Sequence, residues 1–217
     1  MSSRVTTVVL LVALAFGLLS LVPRIGALRL PGNQRGYEPA QPIAFSHRLH
    51  AGEMQISCLY CHYGAEASRA AGIPAASVCM NCHKFVTALL GAVRAEDDQA
   101  QKEKRAPRRI VSPELQKLYD ALGLDEKMRP DPARHTTPVA WVKLHNLPDF
   151  VYFDHRAHVK AGVACQKCHG PAESMEQMRQ VEDLSMGWCV NCHRNVNAAG
   201  IGGKTVYASI DCATCHY

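Results

Sequence analysis

The sequence is short of aromatic residues: Phe, Tyr and Trp make up 6% of its 217 residues, and only two are Trp. A chain of this length ordinarily fills its interior with its own side chains, so a low aromatic content points to a core built partly from something else. Unattached cysteine is missing altogether. All ten cysteines fall in five Cys-x-x-Cys-His units: Cys58/Cys61/His62, Cys79/Cys82/His83, Cys165/Cys168/His169, Cys189/Cys192/His193 and Cys212/Cys215/His216. A disulfide framework would not fix the residue after each second Cys. Structural zinc would use such pairs two at a time, and five pairs cannot all be consumed that way. A thioredoxin-like motif would occur once, within a βαβ pattern. Strong charge is also missing. The net +5 suits an acidic protein partner, but the basic residues form no nucleic-acid reader motif, which excludes nucleic acid as the expected partner.

What is present is the c-type haem attachment pattern, five times over. Residues i, i+3 and i+4 share one face of a helical turn. Two thiols can therefore bond the porphyrin edge while the following imidazole reaches the iron. The expectation is five covalent haems c, with His62, His83, His169, His193 and His216 as proximal ligands.

The function of a haem then turns on its other axial position. Six of the eleven histidines remain: His47, His50, His135, His145, His155 and His158. Two pairs stand in a repeated F-x-H-x-x-H: Phe45 before His47 and His50, and Phe153 before His155 and His158. Members of such a pair diverge by roughly 60° around a helix, which suits two different irons. This layout resembles the small tri- and tetrahaem cytochromes, in which the first His caps the haem of the next CxxCH and the second caps another. By that resemblance His47 serves the haem on Cys58/Cys61 and His155 the one on Cys165/Cys168. His158 is assigned to the haem on Cys212/Cys215. His145, in AWVKLHNLPDF, is a further ligand candidate. Met186, three residues before Cys189, is another, since Met is an alternative axial ligand as well as a common core filler. His135, in the Pro-rich RPDPARHTTP segment, reads as a surface residue. Candidates outnumber the irons, so no iron is obliged to be open, and this favours electron transfer over catalysis at iron.

Four regions separate along the chain. Residues 1–30 hold an uncharged run of 18 residues, 5–22, at the short end of the length that spans a bilayer. No A-x-A-like cleavage site follows it, so it reads as a transmembrane signal anchor and stem, contacting membrane lipid. Arg24, Arg29 and Arg35 after the run would favour a cytoplasmic side. Attachment of c-type haem occurs outside the cytoplasmic membrane in the families this chain resembles, which places the haem domain on the periplasmic side. Residues 31–90 form a first module with two haem motifs, and residues 141–217 a second with three. Residues 91–140 read as a charged connector. Within it RAEDDQAQKEKRAPRR is taken as a solvated face, and SPELQKLYDALG as a short helix with Ser112 as N-cap, Pro113 at the first position and Gly123 as stop. The fold class expected is mainly α and irregular, with short helices around a haem-packed core and little sheet.

The run WVKLHNLPDFVYFDHRAHVKAGVACQKCHGPAESMEQMRQVEDLSMGWCVNCHRN resembles the pentahaem cytochrome subunit of alternative complex III, a membrane quinol:electron acceptor oxidoreductase. The resemblance covers nearly the whole chain, and WVKLHNLPDF and MGWCVNCH are its specific parts. It implies a non-catalytic electron-transfer subunit, working with polytopic quinol-binding membrane subunits, an iron–sulfur subunit and a monohaem cytochrome c. Other readings stay open. A membrane-anchored quinol dehydrogenase or a free electron carrier would feed a periplasmic reductase. A multihaem nitrite reductase would carry a Lys in place of one motif His, and a reaction-centre cytochrome would be larger, with four haems.

Overall fold

A computed structural model describes residues 3–27 and 34–217, with the side chains of residues 3, 4 and 21–27 outside that description. Helix α1 (Ser3–Ala27) presents Val5, Leu10, Leu14, Phe16 and Leu19 as exposed side chains. Ser20 donates its hydroxyl to the Phe16 carbonyl at 2.7 Å, so that polar side chain is satisfied within the helix. Among the described residues, no helix is long and apolar enough to cross a membrane. The span expected over 5–22 ends among side chains outside the description, as does the stem that follows it.

The remaining elements are short helical pieces joined by extended chain. They are a π-helical turn (Arg48–Glu53), α2 (Cys58–Cys61), α3 (Gly64–Ala67), α4 (Ala76–His83), α5 (Leu90–Lys102) and α6 (Pro113–Ala121). After these come α7 (His155–Lys160), α8 (Gln166–His169), a 3-10 turn (Ala172–Ser174), α9 (Met186–Ala199) and α10 (Cys212–Cys215). Among the described residues β pairing is limited to three isolated bridges, Leu124–Pro130, Val151–His216 and Ile201–Lys204, in keeping with the expected scarcity of sheet.

Residues 91–140 do more than connect. In α6 the Ser112 hydroxyl accepts from the Leu115 amide, Pro113 opens the helix, and Gly123 follows its end at φ +63°, as the sequence signals require. One face of α6 buries Leu118 and Tyr119, which with Leu124 form a small apolar core. Cys79 and Met80 of the second haem motif pack against that core. The mixed-charge run is not merely solvated either. Its first part lies in α5, which buries Ala100, and Glu96 there pairs with Arg105 at 2.5 Å and accepts the Arg108 amide beyond the helix end. Helical spacing puts Ala100 on the inner face, which a count of charges does not register.

The two F-x-H-x-x-H segments fold alike except for one residue. His50 precedes Cys58 by eight positions, and His158 precedes Cys165 by seven. The first copy takes up the extra residue by winding as a π-helical turn, with Met54 N–H bonded to the Leu49 carbonyl, where the second is an ordinary α-helix. A π-turn is the usual way for a helix to absorb a single insertion.

The halves then pack reciprocally. The π-turn of the first lies against the 3-10 turn that follows the third haem motif, and α7 of the second lies against α3, which follows the first motif. Arg48 N–H bonds the Met175 carbonyl at 2.9 Å, and His155 N–H bonds the Arg69 carbonyl at 3.1 Å. Gly52 permits the first of these approaches. A methyl there would fall inside contact distance of the Glu173 carbonyl oxygen.

Candidate haem-binding site

Every CxxCH unit lies on or at the end of a helical turn. The turn is closed by the expected bond from His to the first Cys in α2, α8 and α10: His62 N–H to Cys58 O at 2.8 Å, His169 to Cys165 at 3.0 Å and His216 to Cys212 at 2.9 Å. The fourth motif sits inside the longer α9, which starts from a Ser185 cap onto the Trp188 amide, and the second sits inside α4. Asp211 caps α10 and Ser57 caps α2. None of the ten cysteines is joined in a disulfide. Among the described residues no group of three or more His, Cys, Asp or Glu is placed to hold a bare metal ion. A haem iron asks for only two protein ligands.

The histidines are sorted by burial. Of the eleven, ten are at least partly buried, and only His135 is exposed, as expected of a surface residue. Six of the ten use Nδ1 against a backbone carbonyl. His62 pairs with Gly72, His83 with Val86 and His193 with Ser209 among the proximal set. In the distal set His50 pairs with Ser46, His155 with Arg69 and His158 with Asp154. Donation from Nδ1 fixes the tautomer that leaves Nε2 with a free lone pair, the arrangement a metal-binding imidazole needs.

Ring spacing shows which imidazoles face each other. An imidazole nitrogen binds a metal at about 2.0–2.1 Å, with the ring centre roughly 1.1 Å further back, so two imidazoles across one ion have centres about 6.3 Å apart. His50 and His83 stand 6.0 Å apart, His158 and His193 6.1 Å, and His155 and His169 6.3 Å with rings parallel to within 9°. These three pairs fit bis-histidine ligation of the haems on Cys79/Cys82, Cys189/Cys192 and Cys165/Cys168. His155 thus faces the proximal histidine of the Cys165/Cys168 motif, and His158 faces His193 of the Cys189/Cys192 motif, where the sequence reading assigned it to the haem on Cys212/Cys215.

His47 and His145 each have a ring nitrogen shut off from solvent. Burial, then the neighbouring His62 and His50, lowers the His47 pKa to about 4, and burial followed by His155 brings His145 to about 4. His169 falls to about 3, chiefly by burial and then through His145, His155, His62 and His47. All three imidazoles are therefore neutral near pH 7. His47 Nδ1 and His145 Nε2 are buried without a hydrogen-bond partner. An imidazole nitrogen left unsatisfied in such a place is costly unless something binds it, and for His145 Nε2 haem iron is the group the adjoining motifs would supply. His145 packs edge-on against His169, with centroids 4.4 Å apart. His216 has Phe150 beside it at 5.7 Å. Met186 opens α9 with its side chain 69% exposed.

Several contributors had no role assigned to them from sequence. Phe45 stacks on His50 at 4.3 Å and meets His47 edge-on at 4.9 Å; Phe153 does the same to His158 at 4.6 Å and His155 at 4.9 Å. Each Phe thus wedges its pair apart, and its repetition in the motif was the signal. Ser46 and Asp154 occupy equivalent positions; each carbonyl holds the second His, and each side chain caps the turn, onto Leu49 and Arg156. Tyr119, 3% exposed, donates its hydroxyl to the His83 carbonyl at 2.6 Å. No sequence pattern linked those two residues.

Three pairs of imidazoles stand at metal-bridging spacing beside Cys-x-x-Cys turns, and sheet is almost absent among the described residues. Residues 151–217 match the family model described as cytochrome c7 and related cytochrome c. Over 205 residues the chain is 25% identical to the multiheme cytochrome c subunit of menaquinone reductase from Nitratidesulfovibrio vulgaris (strain Hildenborough), covering 81% of this chain and 76% of that one.

Proposed function

We propose that this chain is an electron-transfer subunit bearing five covalent haems c. In this reading it takes electrons from a quinol-oxidising membrane complex and passes them to a periplasmic cytochrome or other acceptor. The observation that carries the reading is the match of ten part-buried histidines to five CxxCH motifs. Two imidazoles per iron leave no coordination position for a substrate. Haem iron so bound supplies one-electron chemistry, ferric to ferrous and back, with no bond made or broken on a substrate. The residues of this chain hold the groups in place, fix the imidazole tautomers and exclude water from them. Oxidation of one quinol to quinone releases two electrons and two protons, and that step belongs to partner subunits.

The finer assignment is a subunit like that of alternative complex III, anchored by α1 in the cytoplasmic membrane with its haem domain outside. Its partners would be polytopic quinol-binding subunits, an iron–sulfur subunit and a monohaem cytochrome c. The name of the Nitratidesulfovibrio relative favours a second reading, in which the same subunit delivers electrons toward menaquinone.

Mild detergent extraction of native membranes, native electrophoresis with haem staining and mass spectrometry of the stained band test the assignment. Co-migration with large polytopic subunits is expected. Migration alone, or with a soluble reductase, would overturn it. Anaerobic addition of a quinol then separates the directions: reduction of the α-band supports electron flow out of the quinol pool.

A further inference from the structure

The haem motifs are numbered one to five along the chain, but they do not follow one another in space in that order. Motifs one and two touch: Asn81, inside the second, donates to the Tyr60 hydroxyl, inside the first, at 3.0 Å. Cys61 lies near both Cys79 and Cys82. Motifs one and three meet across the reciprocal packing of the halves: Cys58 lies near Cys165, and His155, which faces His169, donates its backbone N–H to the Arg69 carbonyl at 3.1 Å. Cys58 and Cys165 are each the first Cys of their motif, so equivalent positions meet near a local twofold relation. Arg69, just after the first motif, reinforces the junction. Its carbonyl holds His155, its guanidinium donates to the Phe153 carbonyl at 3.2 Å, and it lies 4.6 Å from the Tyr152 ring centre.

Motifs three and four share an open cavity of about 270 Å³, lined by Lys167 from one and Trp188, Asn191 and Cys192 from the other. Cys168 has Cys192 and Cys189 as neighbours. Motifs four and five are joined through Ser209. Its carbonyl accepts His193 Nδ1–H at 2.5 Å, and its hydroxyl pairs with Thr214 at 2.9 Å. Cys189 also lies near Cys215. Among the described residues, no hydrogen bond joins the second motif to any of the last three, or the fifth to either of the first two.

We infer that the haem attachment sites form one unbranched line in the order second, first, third, fourth, fifth, with the two halves joined through the sites of His62 and His169. The ends of the line, where a donor and an acceptor would meet the chain, are the His83 and His216 sites. The duplicated halves are therefore joined head to head. In a head-to-tail join the second motif would have met the third.

The order rests on haem loading of all five motifs and is independent of which complex the chain joins. Loading is counted first, by intact mass and pyridine haemochrome, on the full-length chain in detergent. Iron positions are then located in the holoprotein by anomalous scattering or cryo-electron microscopy. The expected result is a line of nearest-neighbour irons in the stated order, with the closest approach between halves made by the His62 and His169 irons. Any other pair at that junction, or a fifth site lying between the halves, would overturn it. A solution check uses Cys58→Ser with Cys61→Ser, which removes the first haem. The low-spin electron paramagnetic resonance features of the second and third haems should shift while those of the fifth stay put. A shift confined to the fifth would also overturn the order. A different order would leave co-migration with polytopic subunits untouched, and solitary migration would leave the order untouched.

Discussion

A histidine that is to hold iron must offer one nitrogen and occupy the other. Six side chains here meet that need by donating Nδ1–H to a backbone carbonyl, five of them over 2.7–2.9 Å. The aromatic wedge sets the direction of the free nitrogen. Because Phe153 stacks on His158, that ring points away from His155 and arrives opposite His193. Replacing His158 with Ala should leave five haems attached, since no thiol is touched, but should turn one of them high-spin. The affected haem should be the one on Cys189/Cys192. Electron paramagnetic resonance should therefore show the same high-spin signal when the variant is rebuilt on Cys212→Ser with Cys215→Ser. Disappearance of the signal in that background would return His158 to the fifth haem. His158→Met should restore low spin with a raised potential for one haem, as expected for a thioether in place of an imidazole.

At the scale of elements, the duplication is held together by a few close backbone approaches. Gly52 in the π-turn faces the Glu173 carbonyl with no room for a methyl, and carbonyl oxygens in a packed turn do not yield as a side-chain tip would. Gly52→Ala should cost about 1–3 kcal/mol through overpacking, seen as a lower midpoint in denaturant melts of the holoprotein. Gly91 is the control. It lies in α5 with open space around its Cα, so Gly91→Ala should stabilise by about 0.5–1 kcal/mol through lost backbone freedom in the unfolded chain. Equal effects at the two sites would show that the junction is not tightly packed. The sequence made the local elements readable wherever the chemistry is short-range. The helical turns of CxxCH, the capped α6 and the paired histidines all follow from spacing within a few residues. The junction could not be read in that way. Gly52 against Glu173, His155 against Arg69 and Arg48 against Met175 join residues about a hundred positions apart, with no periodicity to announce them. The π-turn was half-visible, as the one-residue difference between the two copies, and the turn type needed the backbone.

For the whole molecule, the question is what fills the interior. The buried apolar side chains among the described residues are Ala65, Ala100, Leu118, Tyr119, Leu124 and Met175. Only Leu118, Tyr119 and Leu124 form a cluster, in the segment between the modules. A chain of 217 residues needs far more buried apolar surface than this to offset the entropy of ordering it. Five porphyrins bonded through ten thiols would supply that surface and would also cross-link the turns that carry them. The two sources of order are separable. Without haem, α5 and α6 retain their buried apolar side chains, the Ser112 cap of α6 and the Glu96–Arg105 pair, whereas α2, α8 and α10 are single turns too short to persist alone. Chain made where haem attachment is blocked, with thiols kept reduced, should therefore show no cooperative thermal transition. Its far-ultraviolet circular dichroism should fall well below that of the holoprotein. Limited proteolysis should cut first in residues 141–217, which hold three of the five motifs, and later in 90–124. A sharp melt and a protease-resistant C-terminal module in the haem-free chain would mean that side chains alone build the core.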